Sequence, residues 1–203
     1  MRKELSYFQV DGFFGGWQEW FASRWMRLGG CAAVTATDVS IYFDLYKGTK
    51  LTGNALDLQN LTRAAYCAYS EKNLRPYLEP RWSGIDRLEI YLDGYRQFLH
   101  DRGESSLILA PWNGTESYVH TEAIVKQQID KGFPIPTLTL HHHAPIMQPY
   151  VWHWYILGGY EETSDGLQIK LITYGAWRWL KLRTLWETGY TQKGGLILFD
   201  QQF

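Results

Sequence analysis

The sequence predicts an α+β fold in which a mainly helical part, residues 1–131, precedes an antiparallel sheet part, residues 132–203. Two patterns carry that expectation. Before Gly132 the apolar residues recur at helical spacing between Gly- and Pro-rich breaks. After it, five short segments alternate or run apolar and are rich in β-branched and aromatic residues. Segregation of this kind is α+β rather than a parallel α/β sheet, and it allows two lobes with a cleft between them. The length of 203 residues suits one domain.

The elements read as follows. Residues 1–30, with FFGGWQEWF and LGG, form an irregular arm with a short helix around residues 17–26. The stretch CAAVTATDVSIYFDLY, from Cys31 to about Tyr46, has no Gly or Pro and carries Val34, Ile41 and Leu45 at helical spacing. It is a helix that Cys31 opens, with Gly29 and Gly30 as the turn before it. A second helix is expected near residues 54–71. A third is expected near 84–100, with Ile85, Leu88, Leu92, Tyr95 and Leu99 on one face, after a loop marked by Pro76, Pro80 and Gly84. Residues 121–131 give a short fourth helix, with Thr121 as its cap and Gly132 as its stop. The segments PIPTLTL, YVWHWYILGGYE, LQIKLITYG, AWRWLKLRTLW and GGLILFD are the predicted strands, and Ser164-Asp165-Gly166 is a hairpin turn.

Composition narrows the function classes. Twenty basic and 21 acidic residues leave a net charge of -1, so no global basic field favours nucleic acid or an anionic membrane as partner. No apolar run approaches the roughly 20 residues of a membrane span. The opening MRKELSYFQVDGFFGG lacks the apolar segment of a signal peptide, which gives a cytoplasmic expectation with both cysteines, Cys31 and Cys67, as reduced thiols. An aromatic fraction of 16 %, with 10 Trp, excludes the disordered class but does not separate core from binding surface. No cofactor motif is present, and none is expected.

Three features could carry chemistry. Cys31 sits at a helix start, where the dipole and free N–H groups favour a thiolate, behind glycines that permit close approach of a substrate. Its alternative role is that of a small buried hydrophobe. Cys67, mid-helix in AAYCAYSE, reads as inert. His153 lies inside an aromatic strand and needs either a hydrogen-bond partner or a function; a Cys at a helix start paired in space with a later His is what thiol catalysis requires. The run His141-His142-His143 resembles a metal site, but neighbouring strand residues point to opposite faces and no ligand motif accompanies it. It reads instead as a loop at a cleft rim.

The order GGWQEWF, then GGC opening a helix, then DKGFPIPTL, then HWYILGGYE and a strand pair resembles the papain-like cysteine peptidase superfamily, in the bacterial branch related to bacteriocin (double-glycine) leader peptidases. The resemblance covers residues 15–46 and 121–199. It implies a papain-like domain, with the nucleophile helix packed on an antiparallel sheet. It makes Cys31 the nucleophile, His153 the general base, and Gln18 the side-chain donor of the oxyanion hole together with the Cys31 N–H. Thr173 stands nearest to the place where the family carries the Asn or Asp that orients the histidine; a Thr hydroxyl brings no negative charge. Gln18 precedes Cys31 by 13 residues, a longer spacing than the family's, and Ala32 replaces the family's glycine after the nucleophile. Trp17, Gly29, Gly30, Trp152 and Trp154 would wall the substrate site.

The implied function is a cysteine-dependent hydrolase, a peptidase or amidase, that acts on a peptide or an acyl-carrying small molecule through a thioester. An acyltransferase of the same fold shares the first half-reaction. A catalytically degenerate papain-like domain that binds a peptide or small molecule is the third alternative.

Overall fold

The structure is a computed structural model and describes residues 1–202. Six helices are present among them: α1 (Arg24–Gly29), α2 (Cys31–Tyr46), α3 (Arg63–Tyr69), α4 (Leu88–Asp101), α5 (Tyr118–Asp130) and α6 (Leu182–Trp186). The strands are β1 (Arg2–Glu4), β2 (Gln9–Val10), β3 (Phe13–Phe14), β4 (Leu107–Asn113), β5 (Ile135–Thr139), β6 (His153–Thr163), β7 (Gly166–Thr173), β8 (Ala176–Lys181) and β9 (Gly195–Gln201). The main sheet runs in the order β4-β9-β5-β6-β7-β8, with β1 paired to β6, and every pairing is antiparallel. The α+β class is therefore as the sequence predicts.

Helix α2 is the axis of the molecule. Every residue from Cys31 to Phe43 is buried, and the helix packs on β5 and β6. Its Thr and Ser residues tolerate this because each bonds back one turn: Thr35 donates to the Cys31 carbonyl, Thr37 to Ala33 and Ser40 to Ala36, all at 2.8 Å. Strand β5 and the first eight residues of β6 are also buried throughout, which requires cover on both faces. Helices α2 and α5 both pack on these two strands, α4 packs on β4 and β9, and α6 on β7 and β8.

Several boundaries differ from the sequence expectation. The arm before α1 holds a 3-10 turn at Gln18–Trp20 rather than a helix over 17–26. The second helix begins at Arg63, capped by Thr62, and ends in a π-helical turn, Ser70–Leu74; residues 54–62 are loop. The fourth is capped by Ser117, whose hydroxyl accepts from the His120 N–H, so Thr121 is inside it and buried. AWRWLKLRTLW is half strand and half helix α6. Strand β4, LILAPWN, lies within the part expected to be helical and pairs along its whole length with β9. The hairpin turn is as predicted: Thr163 pairs with Gly166 around Ser164-Asp165. No helix among the described residues is long and apolar enough to cross a membrane.

Candidate functional site

Cys31 is the first residue of α2 and His153 the first of β6. Both line a small void of about 10 Å³, together with Trp17, Gln18, Asp38, Thr173 and Tyr174. Both also line an open cleft of about 380 Å³ beside it, with Gln18, Leu28, Gly29, Trp82, Ser83, Gly84 and Trp152. Most of the residues singled out in the sequence thus converge on one place.

The imidazole of His153 is buried, and its Nε2 lies 2.8 Å from Thr173 Oγ1 at the end of β7. Its ring stacks on Tyr174, with centroids 4.6 Å apart. Burial lowers its pKa to about 4, so at neutral pH it is uncharged. Tyr174 adopts a left-handed backbone (φ 56) and donates its hydroxyl to the Pro149 carbonyl at 2.6 Å, which holds the ring in place.

Cys31 is only 5 % exposed. Burial pushes its pKa up, opposed by the backbone N–H groups of Trp154, Ala32 and Cys31 itself. The helix start does direct N–H groups at the sulfur, but desolvation outweighs them, so the lowered thiol pKa expected from helix position is not found. Among the described residues no direct hydrogen bond links thiol and imidazole; the imidazole bonds to Thr173 instead. Cys67 is half-buried on α3, its thiol pushed up to about 11 by burial.

Gln18 reaches the site from the 3-10 turn. Its Nε2 donates to the Arg27 carbonyl at 2.7 Å, and its Oε1 is sealed from solvent without a partner. One N–H of the amide is therefore committed to α1. Gly29 lines the cleft, but a Cβ there would stand 2.7 Å from the Arg81 carbonyl; a Cβ on Gly30 would stand 2.5 Å from the Met26 carbonyl. The close approach of backbone to backbone is enough to require glycine at both positions. Trp17 is half-buried in the void lining, and Trp152 is exposed on the cleft rim. Trp154 is buried instead, its ring stacked on Tyr91 and its Nε1–H donated to the Ile85 carbonyl at 2.6 Å. It joins β6 to the start of α4.

The histidine run divides by face. Both ring nitrogens of His142 are bonded, Nε2 to the Thr184 carbonyl and Nδ1 from the Ala144 N–H. His141 and His143 flank Tyr190, with centroids 5.1 and 4.1 Å away.

Asp38 is the site residue that sequence reasoning missed. It lies two turns beyond Cys31 on α2 and is fully buried without a cation. Its carboxyl accepts from the Gly16 N–H (3.0 and 3.2 Å), the Tyr66 hydroxyl (2.7 Å) and the Tyr7 hydroxyl (3.1 Å). Burial raises its pKa to about 7 against those three donors. Through Gly16 it anchors the arm that delivers Trp17 and Gln18. A Cβ on Gly16 would meet the Tyr66 hydroxyl at 2.0 Å and one on Gly15 the Asp38 carboxyl at 2.3 Å, which explains the glycine pair in FFGGW. The one acid in the buried stretch Cys31–Phe43, seven residues and hence one face from the cysteine, is the signal that could have found it.

Comparison of the sequence with protein-family models and with curated proteins finds no match.

Proposed function

We propose that the chain is a papain-like cysteine hydrolase, a peptidase or amidase, whose nucleophile is Cys31 and whose base is His153. One observation carries the reading: a thiol at a helix start, an imidazole with an orienting partner, and a glutamine amide line one cleft floor. With Nε2–H donated to Thr173, the Nδ1 lone pair points away from that bond and is the base.

In this scheme His153 takes the Cys31 proton as sulfur attacks the substrate carbonyl carbon. The carbonyl π pair moves to oxygen, where Gln18 and backbone N–H groups stabilise it. The tetrahedral intermediate collapses to a thioester as the C–N bond breaks, and the leaving amine takes the proton from His153. Water, deprotonated by the same imidazole, attacks the thioester, releases the acid and returns the thiol. An amine in place of that water makes the reaction an acyl transfer. The uncharged resting pair fits a mechanism in which the thiol ionises as it attacks.

The raised thiol pKa and the missing direct thiol–imidazole bond favour a second reading, a papain-like domain that binds a peptide or small molecule without turnover. Alkylation by iodoacetamide at pH 6 to 7, with the label located by mass spectrometry, separates the two. The hydrolase reading expects Cys31 to react faster than a model thiol and His153→Ala to abolish the excess. A Cys31 no faster than the model thiol excludes the hydrolase.

A further inference from the structure

The open cleft over Cys31 has an unusual wall. One side is the turn 81–84, closed by the Gly84 N–H bonded to the Arg81 carbonyl at 2.9 Å, with Gly84 at φ +68. That turn seats its Arg81 carbonyl against Gly29, directly before the nucleophile helix, and carries Trp82 with 86 % of its surface exposed. The other side is Trp152, 44 % exposed and in the left-handed region at φ 52. A tryptophan in that conformation is strained. It is held there by its own N–H bonded to the Leu140 carbonyl at 3.2 Å and by the edge-on ring of His141, 4.9 Å away. Packing explains neither ring's exposure.

The cleft lining includes no Asp, Glu, Lys or Arg. Its one titratable ring, His153, is uncharged at neutral pH. The contrast is with the cavity of about 660 Å³ beside α6, whose lining includes Glu122, Asp165, Lys181, Arg183 and Glu187. A charged group brought between the two tryptophans would lose water and gain no counter-ion. A flat or branched apolar group would cover both indoles, and about 380 Å³ is within the range of small-ligand sites.

We infer that Trp82 and Trp152 form the acyl-group pocket of this site and select an uncharged aromatic or branched aliphatic acyl group at the carbonyl that Cys31 attacks. The inference rests on the reading of Cys31 as nucleophile.

Alkylating reagents test the two separately. Each reacts by displacement of iodide by sulfur, forming one C–S bond and releasing iodide and the thiol proton. The rates of N-benzyl iodoacetamide and iodoacetate at Cys31, read by peptide mass spectrometry, are divided by their rates at N-acetylcysteine. The pocket predicts a benzyl-over-acetate preference at Cys31 about tenfold or more above that of the free thiol. Trp82→Ala, at a position too exposed to matter for folding, should return the ratio to the free-thiol value while unsubstituted iodoacetamide still labels Cys31. A free-thiol ratio in the wild type, or a preference that survives Trp82→Ala, overturns the pocket and leaves the nucleophile standing. Cys31 inert to all three reagents overturns both.

Discussion

His153 Nε2 and Thr173 Oγ1 lie 2.8 Å apart, bridging the first residue of β6 and the last of β7. The bond fixes the imidazole about its side-chain axis without supplying charge. Thr173→Val keeps the shape and removes the bond. It should slow turnover of an activated ester by about 10- to 100-fold and cost about 1 kcal/mol of stability. Thr173→Ser should restore most of the rate. Equal rates for wild type and Thr173→Val would show that the hydroxyl does not orient the base.

Gln18 should matter to the acylation step. Gln18→Ala removes the amide from the cleft floor and is expected to slow acylation by about 100-fold with little change in KM. A KM effect alone, with kcat intact, would reduce the residue to a wall of the site.

The glycines test the packing account. Gly16→Ala drives a Cβ into the Tyr66 hydroxyl and Gly29→Ala into the Arg81 carbonyl. Each should destabilise the fold by about 1–3 kcal/mol in denaturant titrations. Gly16→Ala should also depress acylation, because it displaces the arm that carries Gln18. Unchanged midpoints would contradict these contacts.

Two buried groups set opposite pH slopes. His153 titrates at about 4 in the fold and ordinarily at 6.5. Between those values the unfolded chain takes the proton and the fold does not. The histidine therefore weakens the fold as pH falls from 6.5 to 4, by about 3 kcal/mol at the bottom, and has no effect above 6.5. Asp38 titrates at about 7 in the fold against an ordinary 3.8. Its carboxyl stays protonated in the fold where the unfolded chain has released the proton, so it weakens the fold as pH rises from 3.8 to 7, by about 4 kcal/mol at the top. Asp38→Asn deletes only the second slope. Its unfolding free energy should gain on the wild type steadily from pH 4 to 7, and parallel curves would contradict the account. The acid limb of kcat/KM should fall near pH 4, where His153 becomes protonated, rather than near 6.5.

Local chemistry made helix α2 and the β6–β7 hairpin legible. Cys31 to Tyr46 has no breaker and follows two glycines, and Ser164-Asp165-Gly166 is turn chemistry flanked by β-formers. The misreadings are cases where distant contacts decide. Strand β4 contains Pro111 and exists because β9 pairs beside it; Leu182 to Trp186 has strand-like composition but turns helical against α5 and the sheet. Cys31 and His153 could be singled out from a helix start and from a histidine inside an aromatic strand; Gln18 and Thr173 could be proposed only because a family resemblance gave their order. For Asp38 only its place on the buried face of α2 is visible in the sequence; Tyr7, Gly16 and Tyr66, the groups that define its role, are far from it along the chain. Burial likewise inverted the expected thiol pKa, since helix position is visible in the sequence and desolvation is not.

The central claim is that Cys31 forms an acyl-enzyme with the help of His153. Mixing the protein with a p-nitrophenyl ester of an apolar acid and recording the intact mass at short times tests it directly. The account predicts one acyl adduct, mapped to Cys31, absent in Cys31→Ala and formed far more slowly in His153→Ala. No adduct, an adduct on Cys67, or an adduct on Cys31 formed equally fast without His153 would contradict it.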